Sequence, residues 1–120
     1  MKQQKIMEDI MQETVYDILV YQDIHGNKPF EKWLKTLGAA AALIDIQIER
    51  IRQGNPGKVR PVRDGVHEVA LNKGPGYRIY FGNISGKIIL LLGGGTKRRQ
   101  QRDIEDAIKA FDDYKRRTRQ

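Results

Sequence analysis

The sequence predicts an α+β domain, a small antiparallel sheet packed against an N-terminal helical hairpin and a C-terminal helix. Three observations carry this. Short β-branched and aromatic runs, separated by glycine-containing turns, gather between residues 59 and 92. Two segments with helical apolar spacing precede them, and a third follows. The chain has 120 residues, about one domain, and dividing it would starve both cores. The resulting order is β-α-α-β-β-β-α.

Residues 1–14 (MKQQKIMEDIMQET) place Ile6 and Ile10, and Met7 and Met11, at i, i+4. They read as a short amphipathic helix outside a single domain of residues 15–120. Residues 15–21 (VYDILVY) suit a strand. Pro29 opens a helix whose stripe is Phe30, Trp33, Leu34 and Leu37, and Gly38 ends it. A second helix, from about Ala39 to Gln53, carries Ala41, Ile44, Ile48 and Ile51 before Gly54 and Pro56. Val59 to Arg63 is a weaker strand, held to an edge by Pro61. Strands follow at Val66–Asn72, Tyr77–Gly82 and Lys87–Leu92, where the unbroken apolar run fits a central strand covered on both faces. Gly93-Gly94-Gly95 reads as the junction into a last helix striped by Ile104, Ala107, Ile108 and Phe111. Helices on one face of the sheet would leave the other free for basic residues.

Composition removes several chemistries. No cysteine is present, which excludes disulfides and thiolate sites and fits a reducing cytoplasm. Two histidines are too few for a histidine-rich metal site, and neither metal nor cofactor is expected. The apolar run Ile88–Leu92, five residues, is too short for a membrane span. The charge is +7 and segregated: residues 1–49 hold 5 basic and 8 acidic residues, and residues 50–120 hold 17 and 7. A half at +10 points to a polyanion or acidic partner.

Candidate residues follow from that half. In Tyr77–Phe81 the apolar alternation turns Tyr77, Ile79 and Phe81 toward the helices, leaving Arg78 and Tyr80 on the open face. Arg78 is either a phosphate clamp held by a strand or the cross-strand partner of Glu68. Lys97, Arg98 and Arg99 follow the triglycine, as a phosphate site at a helix start or as a solvated basic turn. Arg50, Arg52, Lys58, Arg60 and Arg63, five cations in 14 residues with no acid among them, suit a nucleic-acid backbone or a solvated face. Lys73, in the turn before Arg78, joins them as a candidate RNA contact. His67 is the only histidine within a strand; alternation groups it with core-facing Val69 and Leu71, and it remains a possible acid/base.

Together, Gly54-Asn55-Pro56-Gly57 after the helical hairpin, Asp64-Gly65-Val66-His67-Glu68, Gly74-Pro75-Gly76-Tyr77-Arg78-Ile79-Tyr80 and the late Lys97…Gln101-Arg102-Asp103-Ile104 resemble a known family. It is the RelE/ParE superfamily of type II toxin–antitoxin toxins, in its HigB-like, addiction-module killer-protein branch. The resemblance spans roughly residues 15–115. It implies a cytoplasmic toxin that inhibits translation as an mRNA interferase, a metal-independent endoribonuclease acting at the ribosome. The RNA 2′-hydroxyl attacks the adjacent phosphate and yields a cyclic phosphate. Partners would be mRNA, the ribosome and a helix-turn-helix antitoxin. By resemblance, Arg78 stabilises the transition-state phosphate and Lys97 binds it. The branch's Glu-Leu-Arg is Glu68-Val69-Ala70 here, so one strand cation is missing. The same fold also serves ParE-like gyrase poisons, which do not cleave, and a non-toxic binding module is the third alternative.

Overall fold

The computed structural model describes residues 15–119, so the helix expected within residues 1–14 lies outside the described residues. The elements are β1 (Asp17–Val20), α1 (Pro29–Lys35), α2 (Ala41–Arg52), β2 (Val59–Arg63), β3 (Val66–Ala70), β4 (Tyr77–Ile84), β5 (Ile88–Thr96) and α3 (Gln100–Thr118). One turn of 3₁₀ helix, Gly38–Ala40, joins α1 to α2, and another, Lys97–Arg99, leads into α3. The domain is α+β, as expected.

The sheet has five strands in the order β1-β5-β4-β3-β2. β2 to β5 form an antiparallel meander, whereas β1 runs parallel to β5, Asp17 opposite Ile88 through Val20 opposite Leu91. The sheet is therefore mixed, not antiparallel. Between β1 and β5 the chain passes through both hairpin helices and then β2, β3 and β4, and this long connection lets the two strands run in the same direction, which a tight turn cannot do. Between β2 and β3 the turn is Asp64-Gly65 alone, both residues left-handed at φ 52° and 83°. That two-residue geometry matches the right-handed twist of the flanking strands.

Helices cover both faces, which overturns the expected one-sided cover. Phe30, Ile44 and Ile51 of the hairpin pack with Val69, Ile79, Phe81, Ile89 and Leu91. On the other face Ile104, Ala107, Ala110 and Phe111 of α3 pack with Val66, Tyr80, Leu90 and Leu92. The physical reason lies in the strands: neighbours such as Ile79 and Tyr80, both 0% exposed, point to opposite faces and are equally apolar. Burying a side chain of this size contributes about 1.5–3 kcal/mol, so leaving one face open would forfeit several such terms.

The triglycine is strand, not junction. Gly93, Gly94 and Gly95 pair with Tyr80, Ile79 and Arg78 of β4. A Cβ on Gly94 would run into the Trp33 ring, and one on Gly95 into the Asp103 carboxylate. Glycine lets both helices approach the strand closely.

Candidate functional site

Residues directly opposite one another on paired strands share a face. Arg78 stands opposite Ala70 and Gly95, on the face covered by α3, so it is not on an open surface. Its side chain is 15% exposed, with Nε 3.5 Å from Oε1 of Glu68. Glu68, 2% exposed, also accepts from Arg60 Nε at 2.9 Å and from Gln100 Nε2 at 2.8 Å. The carboxylate in turn pushes the Arg60 guanidinium up from its ordinary value. Arg78 Nε, at ion-pair distance from Glu68, has no hydrogen-bond partner among the described residues, while Arg78 Nη1 donates to the Gly76 carbonyl at 3.3 Å.

The Gly76 carbonyl also accepts the Lys97 backbone N–H, at 3.0 Å. Gly76 is left-handed at φ 77°, and a Cβ there would lie 3.3 Å from Lys97 Cβ and 3.6 Å from Arg78 Nη1. The Gly74-Pro75-Gly76 turn therefore brings Arg78 and exposed Lys97 together, 19 positions apart in sequence. Two groups beside them were missed as site residues. Tyr80 is fully buried, and its hydroxyl has no hydrogen-bond partner among the described residues. Burial first, then the Glu68 and Asp103 carboxylates, push its phenol up, so it stays protonated. Asp103 keeps a buried, unpartnered Oδ2 against Gly95, and burial raises its pKa despite the opposing Arg99. In sequence Asp103 stands among the cations at the start of the last helix, and only Gly95, the glycine it packs on, hints at its position.

His67 does not join this site. It lies opposite Phe81, with the rings stacked at 5.5 Å, on the hairpin face of the sheet. It cannot act as acid or base beside Arg78, because the sheet separates them.

The basic cluster divides. Arg52 is bound to Glu49, Arg60 to Glu68 and Arg63 to Glu105. The acids absent from residues 50–63 are supplied from α2, β3 and α3. Arg50, Lys58 and Lys73 instead line a groove of about 380 Å³ whose apolar wall includes exposed Leu43 and Ile46. Arg98 and Arg99 are exposed on the 3₁₀ turn beside Lys97. Among the described residues, no group of three or more His, Cys, Asp or Glu is placed to hold a metal, and no helix is long and apolar enough to cross a membrane.

No protein-family model matches the chain. A Haemophilus influenzae protein, described as an uncharacterized protein, is 40% identical over 80 residues, covering 65% of this chain and 81% of that one. Identity at that level over most of the relative reflects common descent, and the chain belongs to the same family as this Haemophilus influenzae protein.

Proposed function

We propose that the chain is a toxin of a type II toxin–antitoxin module, RelE-like in topology and in the HigB-like branch of the RelE/ParE superfamily, which cleaves mRNA at the ribosome. The observation that carries the reading is that the Arg78 guanidinium and the backbone N–H of exposed Lys97 share the Gly76 carbonyl. In the proposed reaction the RNA 2′-oxygen bonds to the neighbouring phosphorus and the 5′-oxygen leaves, giving a cyclic phosphate and a free 5′-hydroxyl. One proton leaves the 2′-hydroxyl and one is gained by the 5′-oxygen. The negative charge concentrates on the phosphorane between these events, where fixed cations act most strongly. Arg78, held by Glu68 on a central strand, is such a cation, and Lys97 adds a second from the edge. The meander, the hairpin helices before it and the long helix after it support the RelE-like assignment.

A second reading, a ParE-like gyrase poison, draws on a different observation. Arg78 is 15% exposed, the nearby Tyr80 phenol is held protonated and the Asp103 Oδ2 is buried, so among the described residues no solvent-open proton acceptor stands beside it. Induction in a bacterium without antitoxin, with primer extension of mRNA, tests the first reading. Cut transcripts are expected, and Arg78→Ala should lower cleavage by about 10²–10³-fold. Growth arrest with intact transcripts would overturn ribonuclease action. Cleaved DNA accumulating with purified gyrase would establish the poison instead.

A further inference from the structure

Of the three consecutive glycines in β5, contacts within the protein explain two. Trp33 and Asp103 occupy the positions that side chains on Gly94 and Gly95 would need. A Cβ on Gly93 would meet nothing within 4 Å. Its backbone does not ask for glycine either, since the left-handed glycines include neither Gly93 nor its neighbours. It sits in a paired strand position opposite Tyr80, where glycine is disfavoured by its conformational entropy. Gly93 also borders a bulge, since Leu91 pairs with Phe81 and Gly93 with Tyr80, leaving Leu92 as the extra residue of β5; a strand glycine marks such a bulge or a place where something else approaches the backbone.

The space beside it is a cleft of about 430 Å³ between α1, β5 and the start of α3. β1 pairs with β5 only as far as Leu91, so Gly93 to Thr96 have no strand on that side. The walls present three chemistries: the indole of Trp33, the cations Lys32 and Arg99, and the carboxylates Asp103 and Asp106. A bare anion would face two carboxylates, and a bare cation would face Lys32 and Arg99. A ligand with a flat ring, a phosphate and N–H donors satisfies all three.

We propose that this cleft holds one nucleotide of a single-stranded RNA, with its base against Trp33 over Gly93 and its phosphate toward Lys32 and Arg99. Carboxylates accept hydrogen bonds and give none, so the base is one with an amino group. Guanine, whose N1–H and amino group lie side by side, fits a carboxylate better than uracil, which has a single N–H. Aromatic stacking supplies attraction that every base shares, and the carboxylates select among them. The proposal rests on the RNA-directed reading above and adds base selection to it, in a cleft whose Asp103 wall borders the surroundings of Arg78.

Trp33 is the chain's only tryptophan, so its fluorescence reports from the cleft itself. Titration with GMP and UMP, followed by fluorescence and calorimetry, should show saturable quenching by GMP and at least fivefold weaker binding of UMP. Gly93→Val fills the cleft and should weaken GMP binding at least tenfold while the melting temperature holds or rises; Gly93→Ala, the milder change, should act in the same direction. No saturable GMP binding, or GMP binding unaffected in both variants, overturns the proposal. Gly93-dependent GMP binding by a chain whose induction leaves mRNA intact would support the nucleotide site and reject the ribonuclease. Cleavage of mRNA without GMP binding would do the reverse.

Discussion

Replacing Glu68 with glutamine keeps the shape of the side chain and removes its charge. Glu68 is 2% exposed and faces Arg60, Arg78 and Gln100. A hydrogen bond to a charged partner contributes about 1.5–3 kcal/mol. The three contacts are not equal. The Arg60 side chain is 57% exposed and regains water, so its pair adds little. Gln100 can pair with a glutamine oxygen as well as with a carboxylate. Arg78, 15% exposed, loses its counter-charge without solvent to replace it. The expected loss is therefore about 2 kcal/mol, below the 3–5 of a wholly buried broken pair. At about 4 °C per kcal/mol for a domain of this size, the melting temperature should fall by about 8 °C. Arg78→Met should cost less, about 1 kcal/mol, because Glu68 keeps Arg60 and Gln100. Thermal denaturation of both single variants and the double variant closes the cycle, and the double should fall short of additivity by about 1 kcal/mol. Additive losses, or a drop below about 2 °C for Glu68→Gln, would refute the role given to the cluster.

Two further predictions test the packing of α3 against the sheet. A Cβ on Gly82 would stand 2.6 Å from the Phe111 ring, so Gly82→Ala should destabilise by about 1–3 kcal/mol in urea unfolding, and a neutral result would disprove that contact. Tyr21, buried and bonded to Asp113, has its phenol pushed up to about 12, chiefly by burial. Stability from this group is full below about pH 10, where tyrosine of the unfolded chain begins to ionise, and is lost as pH rises toward 12. Tyr21→Phe should flatten that alkaline limb in part, Tyr80 providing the rest; an unchanged limb would contradict the assignment.

The strands of the meander were legible because period-2 alternation and turn glycines are local signals, and the hairpin and C-terminal helix were legible from their 3.6-residue stripes. Three things were not. The triglycine read as a junction because glycine is disfavoured in strands, and what permits it, the Trp33 ring and the Asp103 carboxylate, comes from residues far along the chain. The parallel placement of β1 depends on a long crossover that leaves no local mark. The free-looking cations at Arg60 and Arg63 were read by their sequence neighbours, while their acids arrive from β3 and α3; Arg52 is paired one turn back on its own helix, with Glu49, just outside the run of cations. At the candidate site, Arg78 and Lys97 were named from sequence, and the Arg78 guanidinium and the Lys97 backbone N–H share the Gly76 carbonyl, whereas Tyr80 and Asp103 required the helix on the second face to be seen. The run Ile88–Leu92 had already signalled two-sided cover, and that local signal outweighed the broader expectation of an open face.

The parallel seam between β1 and β5 also orders events in time. Asp17 pairs with Ile88, whereas the β4–β5 hairpin closes between Ile84 and Ile88. Closing the larger loop costs about 2.5 kcal/mol more chain entropy, so the meander assembles first and β1 joins afterwards. During synthesis the first of the described strands thus waits for the last of them to leave the ribosome. Until then the outer edge of β5 is an unpaired template, open to another chain's strand, and the interval before β1 docks is when this protein is most exposed to misassembly.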